Sequence, residues 1–474
     1  MSSKIKTSFR DLLTTTDRRG IRKWVYPRVP EGDWTRLRRI VSIILVGFLV
    51  VAPFLRWEGQ PVFLLDFLNR KFILFSQLIW PQELHLFLLV LLVFGLGLIL
   101  FTTVLGRLWC GWACPQTVFL EMVFRPLEFL LEGSGPQQKK FDQSPLGFRK
   151  IWIKSWKHGL FFMISFSIGN ILLAWIIGSD ELWKIITDPP LAHLEGLTYM
   201  ILFSLAFYWN FSWFREQFCS IICPYARLQS ALLDENTLMV TYDYVRGERE
   251  EGRAKLGARH QMEAEEESEL GDCIDCRRCV DACPSAVDIR NGLQLECIQC
   301  TACVDACNLI MDRIGKDRGL IRYASQKQIS DQGKFQFTRR MAAYCLILTA
   351  TIALLFIKFA TRPDVNLGIT RARGSLFTML PDGHCSNLYQ LKLTNNTFKE
   401  QMITMKLMEP EGSIQIPSPQ ILVEPASRKE LPFFVILQPS QLIGHKTPLT
   451  IGAFSNGQKI TEFQTTFLGP LDGS

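Results

Sequence analysis

An integral membrane α-helical bundle of five spans, with a cytoplasmic two-cluster ferredoxin-like insert and a C-terminal immunoglobulin-like β-sandwich, is the architecture to which this 474-residue sequence points. Three features carry it: apolar runs long enough to cross a bilayer, eight cysteines in two matching runs, and a tail punctuated by turn residues. Hydrophobic residues make up 48% of the chain, with 34 phenylalanines, and they are bunched rather than spread, which favours membrane spans over one large core.

A bilayer-crossing helix needs about 20 mostly apolar residues. Five segments qualify: Ile40–Leu55, Leu84–Val104, Leu160–Gly178, Gly196–Phe214 and Met341–Ile357. The first and last are short and are extended by snorkelling of Arg38, Arg39 and Lys358. The first run starts only at Ile40, which predicts a retained anchor rather than a cleaved leader. Pro61–Trp80 is also apolar, but Asp66, Arg70 and Lys71 interrupt it, so an interfacial or re-entrant segment is expected there. Residues 1–39 carry eleven Lys or Arg and residues 105–157 carry eight, against three in 56–83 and one in 179–193. Positive loops stay cytoplasmic, so the N-terminus and the insert 215–340 are expected inside and the tail 361–474 outside, in the periplasm of a bacterial inner membrane.

The insert holds Cys273-x2-Cys276-x2-Cys279-x3-Cys283-Pro284 and then Cys297-x2-Cys300-x2-Cys303-x3-Cys307. This is two-cluster ferredoxin spacing, in which the fourth cysteine of each run ligates the other cluster. One [4Fe–4S] cluster is therefore expected on Cys273, Cys276, Cys279 and Cys307, and the second on Cys297, Cys300, Cys303 and Cys283. Cx2C pairs also bind zinc, but two complete runs argue against that alternative. Asn308 stands where proline usually follows the fourth cysteine; proline is not a ligand, so the assignment is unaffected. Such clusters carry single electrons, and their thiolates belong in a reducing compartment. The cluster domain spans 271–321 and is poor in apolar residues, so ligation must supply much of its folding free energy. Residues 215–270 precede it as a linker, and the charge-dense stretch 246–272 of the insert is expected to be solvated.

Four further cysteines form two matching pairs, Cys110-Gly111-Trp112-Ala113-Cys114-Pro115 and Cys219-Ser220-Ile221-Ile222-Cys223-Pro224. Each follows a span and a basic residue, Arg107 or Arg215, so the pairs form a weak internal repeat at the cytoplasmic face. Four-residue spacing places both sulfurs of a pair on one face of a helix. Three possibilities compete: redox-active dithiols, a soft-metal site for Cu(I), zinc or iron–sulfur, and inert packing. The recurrence of the pair at equivalent depth weighs against inert packing.

In residues 361–474, turn residues recur at Asn395-Asn396, Pro410-Glu411-Gly412 and Ser455-Asn456-Gly457 between short apolar or alternating runs, as in a β-sandwich. Cys345, Cys385, and the histidines His85, His158 and His193 near span ends read as packing or interfacial residues. Trp34, Trp57, Trp80, Trp109 and Trp112 fit an aromatic belt. Asn170 and Asn210 are candidates for hydrogen bonds between helices.

Taken together, the two CxxxCP pairs, the two ferredoxin runs, the five spans and the β-rich tail resemble the FixG/CcoG family of cytochrome oxidase accessory proteins, over nearly the whole chain. The resemblance implies a bacterial inner-membrane protein that reduces Cu(II) to Cu(I) for assembly of a cbb-type haem–copper oxidase. Two [4Fe–4S] clusters would be its cofactors, with Cys110, Cys114, Cys219 and Cys223 handling copper or relaying electrons. Oxidase subunits or copper chaperones are the implied partners beside membrane lipid and a cytoplasmic electron donor; a homo-oligomer is open, and nothing suggests nucleic acid. Two alternatives stand beside it: a quinol-linked electron conduit of an anaerobic respiratory chain, and a non-catalytic oxidase assembly scaffold.

Overall fold

The computed structural model describes residues 14–16, 19, 21–57, 59–66, 71–74, 77–80, 83–250, 252–253, 270–292, 294–372, 377–455 and 457–470. They divide into two compact units: one drawn from 1–53, 90–174 and 179–352, the other from 54–89, 175–178 and 353–474.

Among the described residues, four helices are long and apolar enough to cross a membrane: Asp33–Phe54, His85–Leu105, Phe148–Ile177 and Arg339–Ala360. The shortest has 21 residues, about 31 Å of helix against a hydrocarbon core of about 30 Å. The predicted count of five is not confirmed. Gly196–Phe214 forms a 16-residue helix, Leu194–Trp209, followed by a π turn over Asn210–Phe214. Pro189 and Pro190 bar its extension backwards. Its exposed Tyr199, Leu202, Phe203 and Leu205 nonetheless leave an apolar outer face.

The first helix starts at Asp33, seven residues before the apolar run at Ile40. The cause is remote in sequence. The Asp305 carboxylate accepts the backbone N–H groups of Trp34 (3.3 Å) and Thr35 (2.7 Å) and the Thr35 hydroxyl (2.6 Å). A first turn leaves its N–H groups without helical partners, and a carboxylate there satisfies them and suits the dipole. Gly32 is required just ahead of it, since a Cβ there would lie 2.3 Å from the Asp305 side chain.

The rest of the first unit builds on these helices. Phe119, Leu120, Phe124, Phe161, Ile168 and Phe211 form an apolar core, with Phe124 stacked on Phe211 at 4.6 Å. The segment expected to be a linker is structured through residue 250. It contains the helix Pro224–Leu232 and the strand Met239–Tyr242, which pairs antiparallel with Ile321–Ala324 and brackets the cysteine runs. Most of the charge-dense stretch, including 254–269, lies outside the described residues.

The second unit holds the C-terminal immunoglobulin-like sandwich. One sheet orders Ser413–Gln415, Arg428–Leu437, Cys385–Asn395 and Val365–Arg371, with Thr378–Met379 also on Cys385–Asn395. The other orders Ile421–Val423, Gln401–Glu409, Lys446–Ser455 and Gln458–Leu468. Alternation decides the core: Tyr389, Leu391 and Leu393 meet Phe433, Val435 and Leu437 inside, while Phe434 faces out. Pro61–Trp80, expected to be interfacial or re-entrant, contains a three-stranded antiparallel meander, Phe63–Asp66, Lys71–Leu74 and Gln77–Ile79. Its Ile73, Leu78 and Trp80 pack with Phe398 and Ala426 of the sandwich. Glu83, just after it, accepts from Arg362 Nε at 2.9 Å and Asn366 Nδ2 at 3.0 Å.

Candidate metal centres

The eight cysteines of the two runs fall into two groups, and the groups cross the runs. Cys273, Cys276, Cys279 and Cys307 line one pocket together with Tyr242, Arg290 and Met311. Burial pushes the Cys279 thiol up to about 12; Arg290 pulls it back, and Cys276 and Cys273 push it further. Burial raises Cys307 too, and the next contributions come from Cys279, Cys273 and Cys276. Cys283, by contrast, is raised by burial and then by Cys300 and Cys297, and Cys303 by burial and then by Cys300, Cys297 and Cys283. The structure therefore brings Cys307 of the second run to Cys273, Cys276 and Cys279 of the first, and Cys283 of the first run near Cys300 and Cys297 of the second.

Both runs wind the same way. Asp275 and Arg277 flank Cys276 at φ 48° and 55°, and Gln299 and Thr301 flank Cys300 at φ 55° and 64°. Left-handed backbone costs a non-glycine residue roughly 1 kcal/mol or more, and it persists where the surroundings over-determine it. Four such residues at matching positions indicate loops shaped around a ligand. Four cysteines converging on one cavity from two matching loops are the donor set of a [4Fe–4S] cluster. Helix Ala302–Arg313 carries both Cys303 and Cys307, and it runs on past Cys307 because Asn308 is not proline. The Asn308 side-chain oxygen instead accepts the Gly319 N–H at 3.1 Å.

The CxxxCP cysteines also meet. Burial pushes the Cys110 thiol up to about 12, with Cys114 adding and Arg107 opposing. Burial raises Cys219, and Cys114, Cys110 and Cys223 add to it. Cys114 is raised by burial against the backbone amides of Gln116 and Thr117, with Cys223 adding. The single-helix-face geometry expected for each pair is not what forms. Cys110 sits in the short helix Leu108–Trp112, whereas Cys114 is extended (φ −62°, ψ 125°) and caps Pro115–Phe119. Cys219 lies in a π turn, and Cys223 is likewise extended (φ −65°, ψ 111°) ahead of Pro224–Leu232. The proline is the cause: it disfavours helical backbone in the residue before it and suits the first position of the next helix.

Named contacts join the two pairs to each other and to the second cluster run. Gln116 and Asn210 exchange side-chain amide hydrogen bonds, and Gln116 Nε2 also donates to the Arg215 carbonyl at 3.2 Å. The Cys110 thiol donates to Gln229 Oε1 at 3.1 Å. Arg107 donates to the carbonyls of Ala226, after Cys223, and Leu295, before Cys297. At Gly111 the approach is so close that a Cβ would lie 2.3 Å from the Ile298 carbonyl oxygen, between Cys297 and Cys300. Beneath the pairs lies a buried charge network. Five cations (Arg22, Arg125, Lys154, Lys157, Arg215) face five carboxylates (Glu121, Glu128, Glu132, Asp142, Glu216). Arg215 grips Glu128 with two hydrogen bonds, 2.7 and 2.8 Å.

Sequence reasoning missed Gln116, Gln229, Gly111 and the charge network; only Arg107 and Arg215 were visible, as basic residues ahead of each pair. Trp34, Trp80 and Trp112 do not join an outer belt. Trp80 and Trp112 are buried, and Trp34 packs edge-on to Trp112 at 6.1 Å. Asn210 bonds across to Gln116 as expected, but Asn170 donates to Phe166 of its own helix. His158 and His193 pair with Tyr208 and Asp188, and Cys385 is fully buried against Met379.

Apolar helices long enough to cross a membrane, joined to eight thiols in crossed quartets, define a membrane-bound iron–sulfur redox protein. Family comparison agrees: residues 86–132 match the model of a 4Fe-4S binding domain, 214–326 a 4Fe-4S dicluster domain, and 355–470 the IG-like fold at the C-terminus of FixG. Protein RdxA of Cereibacter sphaeroides is 33% identical over 385 residues, 78% of this chain and 79% of that protein. Nitrogen fixation protein FixG of Rhizobium meliloti is 30% identical over 427 residues, 81% of this chain and 79% of that protein. Protein RdxB of Cereibacter sphaeroides is 33% identical over 390 residues, 79% of this chain and 80% of that protein. The chain belongs to the FixG family.

Proposed function

We propose that this protein reduces Cu(II) to Cu(I) at the CxxxCP cysteines and that the product serves assembly of a cbb-type haem–copper oxidase. The observation that carries the proposal is the meeting of Cys110, Cys114, Cys219 and Cys223 against the loop of the second cysteine run. Thiolates bind Cu(I) in preference to harder ions, so a copper ion held among them is easier to reduce. Cys273, Cys276, Cys279 and Cys307 would hold one [4Fe–4S] cluster and Cys283, Cys297, Cys300 and Cys303 the other; when bound, these groups supply electrons one at a time. The chain's own part is to bury and position the thiols. Gln229 orients Cys110, Arg107 offsets developing thiolate charge, and Gly111 lets the copper-handling turn lie against the second run. Loop charge supports an orientation in a bacterial inner membrane with the cysteines inside and the sandwich in the periplasm, Leu194–Phe214 completing five spans. Oxidase subunits or copper chaperones are the partners this function requires.

Exchange of Cys110 and Cys219 for serine tests it. Iron content should hold, and trapping of Cu(I) by a chromogenic chelator should fall to the rate without protein. Undiminished Cu(I) production would overturn the copper assignment. One observation favours a second reading. Residues 86–132, which include Cys110 and Cys114, match the model of a 4Fe-4S binding domain, and on this second reading the quartet holds a third cluster. Iron analysis separates the two: about eight irons per chain fits two cubanes, and about twelve, falling to eight in the serine variants, fits three.

A further inference from the structure

A pocket in the first unit runs along the first span from Thr35 to Gly47, about 18 Å of helix. One end is apolar, lined by Ile43, Val46, Gly47, Val123 and Phe129. The other end is polar, lined by Arg38, Ser42, Glu121 and Arg125, and it abuts Ala282, Pro284 and Ala302, chain neighbours of Cys283 and Cys303. Arg38, Ser42 and Arg125 are 4%, 2% and 2% exposed. Yet Arg38 Nη2, Ser42 Oγ, and Arg125 Nε and Nη1 have no hydrogen-bond partner. A buried donor left unpaired costs about 1–3 kcal/mol, so several lining one cavity mark a place where acceptor oxygens belong.

We propose that this pocket binds a quinol, the protein's electron donor, with its ring oxygens at Arg38, Ser42 and Arg125 and its isoprenoid tail along Val46 and Gly47. The span itself explains the tail: its outer residues Ile40, Ile43, Ile44 and Phe48 are exposed, as lipid-facing residues are, so the apolar end opens to the hydrocarbon phase. Glu121 beside Arg125 disfavours a phosphate head and favours a hydroxyl donor. The quinol loses two electrons and two protons to become a quinone, breaking both O–H bonds. The Glu121 carboxylate takes one proton and solvent the other. Two Cu(II) accept the electrons and become two Cu(I). The inference depends on the copper proposal only for where the electrons end.

Photolabelling of the purified full-length protein with an azidobenzoquinone bearing a decyl tail tests binding without any redox readout. Labelling should saturate, fall on peptides from 27–47 and 121–129, and be competed by unlabelled decylbenzoquinol. Nothing lies within 4 Å of a Cβ at Gly47, so Gly47→Leu extends into open space beside the pocket lining. Gly47→Leu and Ser42→Val should each weaken binding about tenfold. Gly97→Leu, equally unobstructed on the second span and outside the pocket, should bind as the unmodified protein does. Labelling that does not saturate, labelling undiminished in Gly47→Leu, or competition by phosphatidylglycerol but not by quinol would each overturn the proposal. Cu(II) reduction by the unmodified protein, reduced beforehand with dithionite and freed of it by anaerobic desalting, is measured separately. Its absence alongside saturable quinone binding would reject the copper proposal and leave the pocket standing.

Discussion

Glu128 shows what a single buried charge does in this protein. It is 1% exposed, and burial alone would raise its pKa; Arg215 and then Lys157 more than reverse this and hold it down at about 2. A carboxyl depressed from 4.5 stabilises the fold fully above that value, and the stabilisation is lost as pH falls through about 2. The detergent-solubilised protein should therefore lose thermal stability progressively between about pH 4.5 and pH 2. Glu128→Gln should remove that share of the pH dependence and destabilise the fold by up to about 3–5 kcal/mol at neutral pH, because Arg215 loses its two-pronged partner and Lys157 one of its two carboxylates, leaving Glu216 and Glu132 to offset part of the loss. A flat melting profile in that window for the unmodified protein would contradict the assignment. None of this was legible in the sequence. Glu128 and Arg215 are 87 residues apart, and the sole hint was a basic residue before each CxxxCP pair. The cluster cysteines stand at the opposite extreme, since regular spacing of a rare residue states the ligand topology directly.

At the scale of elements, apolar period and length were enough to locate the spans, but their ends were decided by side chains far away in the chain. Asp305 starts the first helix, and Asn210 with Gln116 accompanies the π turn that follows Leu194–Trp209. Asp305→Ala should cost about 1–2 kcal/mol, the value of a lost cap. It should also raise hydrogen exchange in residues 33–36 while leaving the sandwich unchanged. Unaltered exchange there would mean that the cap does not hold the helix. The CxxxCP turns make the same point within a few residues. Four-residue spacing suggested one helical face, but the proline, read fully, forbids it by forcing the preceding cysteine out of the helix. Likewise the interruptions at Asp66 and Lys71 were the sign of a β-meander, in which both end up paired across neighbouring strands.

At the scale of the whole molecule, the two units draw stability from different sources. The sandwich has an apolar core of its own, whereas the cluster region has little apolar content and packs its core around Cys273 and Cys279. Stripping iron anaerobically with a chelator should therefore melt the first unit's cysteine-bearing part and spare the sandwich. Calorimetry should then show one transition shifted to lower temperature and one unmoved; a joint shift would mean that the units unfold as one. Composition and turn spacing made this division legible, but not the pocket beside the first span, which depends on three separated segments meeting. Helix Ala302–Arg313 sends Cys303 to one quartet and Cys307 to the other, and between them Asp305 holds the start of the first apolar helix. In cells starved of iron, nascent chains would lack a firmly seated anchor, so their turnover by membrane proteases would follow metal supply rather than the rate of synthesis.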